Sequence, residues 1–168
     1  MASGAFSNFR AGLPYPAEGF GIGIGLLESL IFGLSGLANR QALAQGFGVP
    51  MLPAAAVQQH PGALQQTAEE EERARRLQKT QDAYLTAIAA RNLQNGVVIL
   101  TFATYLRDRK ALGIAVFAGL ITTVTDTWII YCQGPEARSA IWGHCFGIFN
   151  CLTIGGSLLY WGRGDKLF

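Results

Sequence analysis

Four stretches of about twenty residues, each almost wholly apolar, limit what this chain can fold into more than any other feature. They run roughly from Ala17 to Leu37 ("AEGFGIGIGLLESLIFGLSGL"), Ala83 to Leu106, Ala111 to Tyr131 ("ALGIAVFAGLITTVTDTWIIY") and Ser139 to Trp161. A helix of that length crosses the hydrocarbon core of a bilayer. A soluble four-helix bundle would instead carry polar residues along one whole face of each helix. The first, third and fourth stretches lack such a face, so the expected fold is all-α, a four-helix transmembrane bundle. Trp128, Tyr131, Trp142, Tyr160 and Trp161 fall near the expected helix ends, where amphipathic rings favour the headgroup zone.

Composition agrees. Only 14% of the 168 residues are charged and 50% are hydrophobic, whereas soluble chains carry about 25% charge. The net charge of +2 comes with no basic patch interleaved with aromatics, which argues against a nucleic-acid partner. Cys132, Cys145 and Cys151 fit no zinc spacing. Cys145 and Cys151 would sit about 9 Å apart along one helix, too far to bridge, so all three read as packing residues. The first apolar stretch begins after Pro14 and Pro16, contains Glu28 and is too long for the core of a signal peptide, so it reads as a retained span.

The chain therefore reads as a single integral-membrane domain, 1–168, with residues 38–82 outside the membrane between spans one and two. The first part of that segment, with Pro50, Pro53 and Pro61, reads as a loop or re-entrant piece. The second part, "TAEEEERARRLQKTQD", reads as a helix in which Glu69/Arg73, Glu71/Arg75 and Glu72/Arg76 are acid-first i,i+4 pairs. It is either a solvated lead into span two or a lid over a membrane site. Lys and Arg divide evenly between the two sides. The compact "RDRK" turn, Arg107 to Lys110, leans the assignment towards cytoplasmic termini in a multi-pass protein of the endoplasmic reticulum or a related endomembrane. The run "EGFGIGIG" is no dinucleotide loop; Gly19/Gly23 and Gly21/Gly25 are small-xxx-small pairs that let helices approach in lipid.

Each span also carries an ionisable residue inside its apolar run: Glu28, Arg91, Asp126 and His144. A charged group at mid-span costs about 2.5–3.5 kcal/mol on insertion scales, so the four must turn inward, pair or meet water. Measured from the long-loop side, Glu28 and Arg91 lie roughly 13 and 12 Å deep, and Asp126 and His144 roughly 8 Å. Four residues from four helices thus share one leaflet within about one helical turn. Asn95 shares a helix face with Arg91, and Thr122 with Asp126; Asn92 and Gln94 sit round the helix from Arg91. Arg91 and Asp126 could be a structural ion pair, and His144 a core histidine. Two acids, an arginine and a histidine exceed what one structural pair needs. As a site, the set suits acid–base chemistry: with Asp126 held by Arg91, Glu28 becomes the general acid and His144 relays or accepts a proton. Asn92, Asn95 and Thr122 would contact substrate. No metal quartet, nucleophile–base signature or phosphate loop is present, so no cofactor and no metal are expected; His60 lies in the loop and is assigned no role.

Three elements, "AARNLQNGVVIL", Thr-Asp-Thr in "ITTVTDTWIIYCQG" and the histidine of "AIWGHCFGIF", resemble a family of small four-helix membrane proteins of unknown function found in filamentous fungi and bacteria. The resemblance covers roughly Ala83 to the C-terminus; span one matches only in character. Asn92 stands where the family tends to have an acid, and Ala90 where it tends to have glycine before the arginine. The resemblance implies a compact membrane protein of polyketide or terpenoid biosynthesis. Comparable membrane cyclases and isomerases use intramembrane carboxylates to protonate an epoxide or alkene. The expected function is an acid–base enzyme for a lipophilic small molecule, an epoxide-opening hydrolase or cyclase. The expected partners are the bilayer and that substrate. The alternatives are a non-catalytic scaffold or assembly subunit, and a small proton-coupled transporter that four spans could form only as a homodimer.

Overall fold

A computed structural model describes residues 15–49 and 68–160, and the described residues are all helical, with no strand. Trp161, His60 and the stretch holding Pro50, Pro53 and Pro61 lie outside them. Helix α1 (Pro16–Ala38) contains a π-helical segment at Leu27–Leu34. A short helix α2 (Arg40–Gly46) follows, then α3 (Ala68–Leu100), which continues into a π turn at Thr101–Tyr105. Helices α4 (Arg109–Cys132) and α5 (Arg138–Tyr160) complete the fold. Two of these, α1 and α4, are long and apolar enough to cross a membrane, and their apolar windows are only 28% and 17% buried.

The charged stretch after Ala68 is the first half of α3 and runs unbroken into the apolar half. Glu72 accepts from Arg76 at 2.9 Å, both exposed; the side chains of Glu69 and Glu71 lie outside the described ones. This helix does not fold over the bundle as a lid.

The helices form two antiparallel pairs joined through small residues. In the α1–α3 pair a Cβ on Gly33 would sit 2.8 Å from the Leu93 backbone, and one on Gly96 would sit 2.6 Å from the Gly25 carbonyl oxygen. Gly25 itself faces Ile99 and Leu100, and Gly36 faces Leu43 and Ala89. In the α4–α5 pair, Gly113 meets Leu158 and Leu159, Gly155 meets the Phe117 backbone, and Gly147 meets Thr123. Of the small-residue pairs expected from sequence, Gly21/Gly25 does lie at contacts, with Leu112 and with α3. Gly23, by contrast, faces open space. The closest approach uses Gly25, Ser29 and Gly33, one stripe at i,i+4 spacing, against Gly96.

Short turns fix the ends. Arg107 adopts φ 52°, and the Asp108 N–H donates to the Phe102 carbonyl at 3.0 Å, closing the end of α3. The Asp108 carboxylate then caps α4 by accepting from the N–H groups of Lys110 and Ala111, each at 3.0 Å. Asn39 caps α2 by accepting from Ala42 N–H at 3.0 Å.

Two apolar layers result. At the turn end, Ile99, Ala103, Leu112, Val116 and Leu158 pack together; at the long-loop end, Leu43, Ala44, Leu85 and Ala89 do so. The polar residues of the site lie between these layers.

Candidate functional site

Arg91 on α3 and Asp126 on α4 form a two-point ion pair: Nη2 donates to Oδ2 at 2.8 Å and Nη1 to Oδ1 at 3.3 Å. Planar guanidinium and carboxylate groups fit each other in this way, which fixes the orientation of both. Asn92, itself buried, accepts from Arg91 Nη2 at 3.4 Å. The arginine is therefore held from both sides, and its neighbour in sequence joins the polar layer.

Beside this pair lies a cavity of about 360 Å³. Glu28 from α1, Asn92 from α3, Thr122 and Asp126 from α4 and His144 from α5 all line it. Arg91 stands behind Asp126 rather than on the wall. Among the described residues Glu28 and Thr122 have no hydrogen-bond partner, so a carboxyl and a hydroxyl face the space uncommitted. The imidazole of His144 packs against the Phe47 ring, centroids 5.1 Å apart, and makes no hydrogen bond among the described residues. Asp126 is the opposite case: both its oxygens are occupied by Arg91. The four ionisable residues singled out in the sequence come together in this layer, Glu28, Asp126 and His144 on the cavity wall and Arg91 bonded to Asp126, and Asn92 and Thr122 lie on the same wall. Asn95 is half-buried and does not line the cavity, and Gln94 is exposed.

The short helix α2 roofs the cavity, where the sequence predicts a loop or a re-entrant piece. Ala42, Leu43, Gly46 and Phe47 line the space from above. Arg40 pairs with Asp82 of α3 at 3.6 Å. At the other end Gly48, at φ 64°, brings the chain against Ala137, in the turn before α5, and Ala140 of α5. A Cβ there would lie 3.1 Å from Ala140 Cβ, and the left-handed backbone also favours glycine. Its signals were Asn39 and the terminal Gly46, but seven residues are too few for periodicity to register.

A second buried ion pair also escaped the sequence reading. Arg109, grouped with the charges of the "RDRK" turn, has its side chain only 11% exposed and donates through Nη1 to Glu18 Oε1. Glu18 is 0% exposed. Arg109 further donates to the carbonyls of Leu158 and Ser157 at 3.3 and 3.4 Å, tying α1, α4 and the end of α5 together.

Cys151 is buried, while Cys132 and Cys145 are exposed and all three are free. No group of three His, Cys, Asp or Glu side chains is placed to hold a metal ion among the described residues. Compared with protein families, residues 27–158 match the model described as Domain of unknown function (DUF4267). No curated protein and no solved structure matches. The matched range includes Glu28, Arg91, Asp126 and His144 and excludes Glu18.

Proposed function

The chain belongs to the DUF4267 family, and from that premise we propose that it is a four-span membrane enzyme performing acid–base chemistry on a lipophilic small molecule. The observation that carries this reading is one cavity bordered by an uncommitted carboxyl, an uncommitted imidazole and a carboxylate fixed by arginine. A structural lock between α3 and α4 would need only Arg91 and Asp126; it would need neither Glu28, His144 nor the space between them.

The membrane setting has two supports beyond α1 and α4. Large apolar side chains stand exposed on all four long helices, among them Phe20, Val97, Ile121 and Phe146. Hydroxyls on the outer faces are satisfied within their own helices: Thr125 donates to the Ile121 carbonyl at 2.7 Å and Thr153 to Phe149 at 2.8 Å. That arrangement suits a surface with no water to bond. Location in the endoplasmic reticulum or a related endomembrane, with cytoplasmic termini, belongs to the same proposal.

The chemistry that fits is epoxide opening. Glu28 gives its proton to the epoxide oxygen as the C–O bond breaks. Water, or a hydroxyl of the substrate, attacks the carbon and yields its proton to His144. Asp126 steadies the imidazolium so formed, and transfer from His144 back to Glu28 restores the starting state. The product is a diol or a cyclic ether, with no net oxidation. Asn92 and Thr122 orient the oxygen atoms.

Purified protein in detergent, supplied with a panel of lipophilic epoxides, should convert at least one. Glu28→Gln and Asp126→Asn should each lower kcat by about 10²–10⁴-fold. Turnover by Asp126→Asn at the native rate overturns the assignment. A scaffold reading draws on the Arg91–Asp126 pair alone and predicts no conversion by any variant.

A further inference from the structure

Helix α1 changes partners along its length. Its first half, up to Leu26, packs on α3, α4 and α5, whereas the π segment from Leu27 to Leu34 packs on α3. From Leu27 onward α1 and α5 therefore diverge, and the cavity lies where they part. Several residues that line it are themselves exposed: Ile31 at 56%, Phe32 at 41%, and Gly143 of α5. The exposed residues next to the lining ones in sequence are apolar, Leu30 beside Ile31 on α1 and Trp142 beside Gly143 on α5. Above the gap, α2 is strapped from α3 to α5 by Arg40–Asp82, Leu43 and Gly48.

We propose that the substrate reaches the site sideways from the bilayer, between the second half of α1 and α5 under the roof of α2, and that Gly143 keeps this gate wide. The inference rests on the acid–base reading for its substrate and adds the substrate's route: a slender molecule dissolved among acyl chains, presenting its reactive oxygen end first. A Cβ at Gly143 would meet nothing within 4 Å. Its small size is thus not demanded by packing, and the space it leaves belongs to the opening. Gly147, one turn deeper, differs: a Cβ there would sit 2.9 Å from Thr123 Cγ2.

Carbodiimides test the route without knowing the substrate. The Glu28 carboxyl adds across the carbodiimide, its oxygen bonding to the central carbon and its proton passing to one nitrogen. The acyl group then migrates to nitrogen, leaving a stable adduct that contains the whole reagent. In nanodiscs of phosphatidylcholine, dicyclohexylcarbodiimide, which partitions into lipid, should modify Glu28. A quaternary-ammonium, water-soluble carbodiimide should spare it while modifying the exposed Glu72. Peptide mass analysis reads both positions, and Glu28→Gln identifies the signal. Gly143→Phe should slow Glu28 modification at least about tenfold, a change of about 1.4 kcal/mol in barrier, without altering the unfolding midpoint. Equal modification of Glu28 by both reagents, or an unchanged rate in Gly143→Phe, overturns the lateral route. Neither result touches the acid–base reading, which stands or falls on epoxide turnover.

Discussion

Removing one member of a buried ion pair is more damaging than removing both, and Glu18–Arg109 is where this chain should show it. With Arg109→Met the Glu18 carboxylate, 0% exposed, keeps no charged partner. The variant should lose about 3–5 kcal/mol, the usual consequence of stranding a charge. Glu18→Met/Arg109→Met should recover much of that loss in the same detergent-unfolding measurement, and a double variant as unstable as the single one would refute the coupling. A milder effect is expected at the neighbouring cap: Asp108→Ala should cost about 1 kcal/mol by freeing the first N–H groups of α4. At this scale the sequence was informative only where depth could be counted. Glu28, Arg91, Asp126 and His144 stand out because each interrupts an apolar run. Glu18 and Arg109 sit at helix starts, where charges are ordinary, so nothing local marked them as buried.

At the scale of the helices, the α1–α3 contact is set by which residues lack side chains. Gly96→Ala should destabilise by about 1–3 kcal/mol or prevent folding, because its Cβ would press on the backbone of Gly25 and Ser29. Gly23→Ala should be neutral or slightly stabilising in the same unfolding experiment, since a Cβ there meets nothing. The contrast checks the observed stripe of Gly25, Ser29 and Gly33 against the paired glycines expected from spacing. Spacing identified α1 as a close-packing helix but could not choose among its faces, because the opposing Gly96 lies in another helix. A regular α-helix carries i,i+4 positions gradually round its axis; the π segment, with its wider i→i+5 turn, keeps Ser29 and Gly33 on the face of Gly21 and Gly25. The short α2 was invisible for a different reason, its burial depending on Leu85, Ala89 and the His144 ring rather than on its own pattern.

For the whole molecule, the decisive question is what surrounds the exposed apolar belt. Ile121, 76% exposed in the middle of α4, is the place to ask. In a bilayer, Ile121→Lys should raise the cost of inserting α4 by about 2.5–3.5 kcal/mol and lower the membrane-extracted yield; in water it would improve solubility. Microsomal insertion of α4 with and without the lysine separates the two. Among the long helices α3 alone is polar over its first half and apolar over its second, and it is continuous from Ala68 to Leu100. From Ala68 to Arg91 it extends about 35 Å at the usual helical rise. That rod is clamped along its inner half, by Gly25, Ser29 and Gly33 of α1 at Gly96 and Leu93 and by Leu43 of α2 at Leu85 and Ala89. Arg91 and Asn92 sit inside the clamped length, and the carboxylate that Arg91 holds is anchored with them.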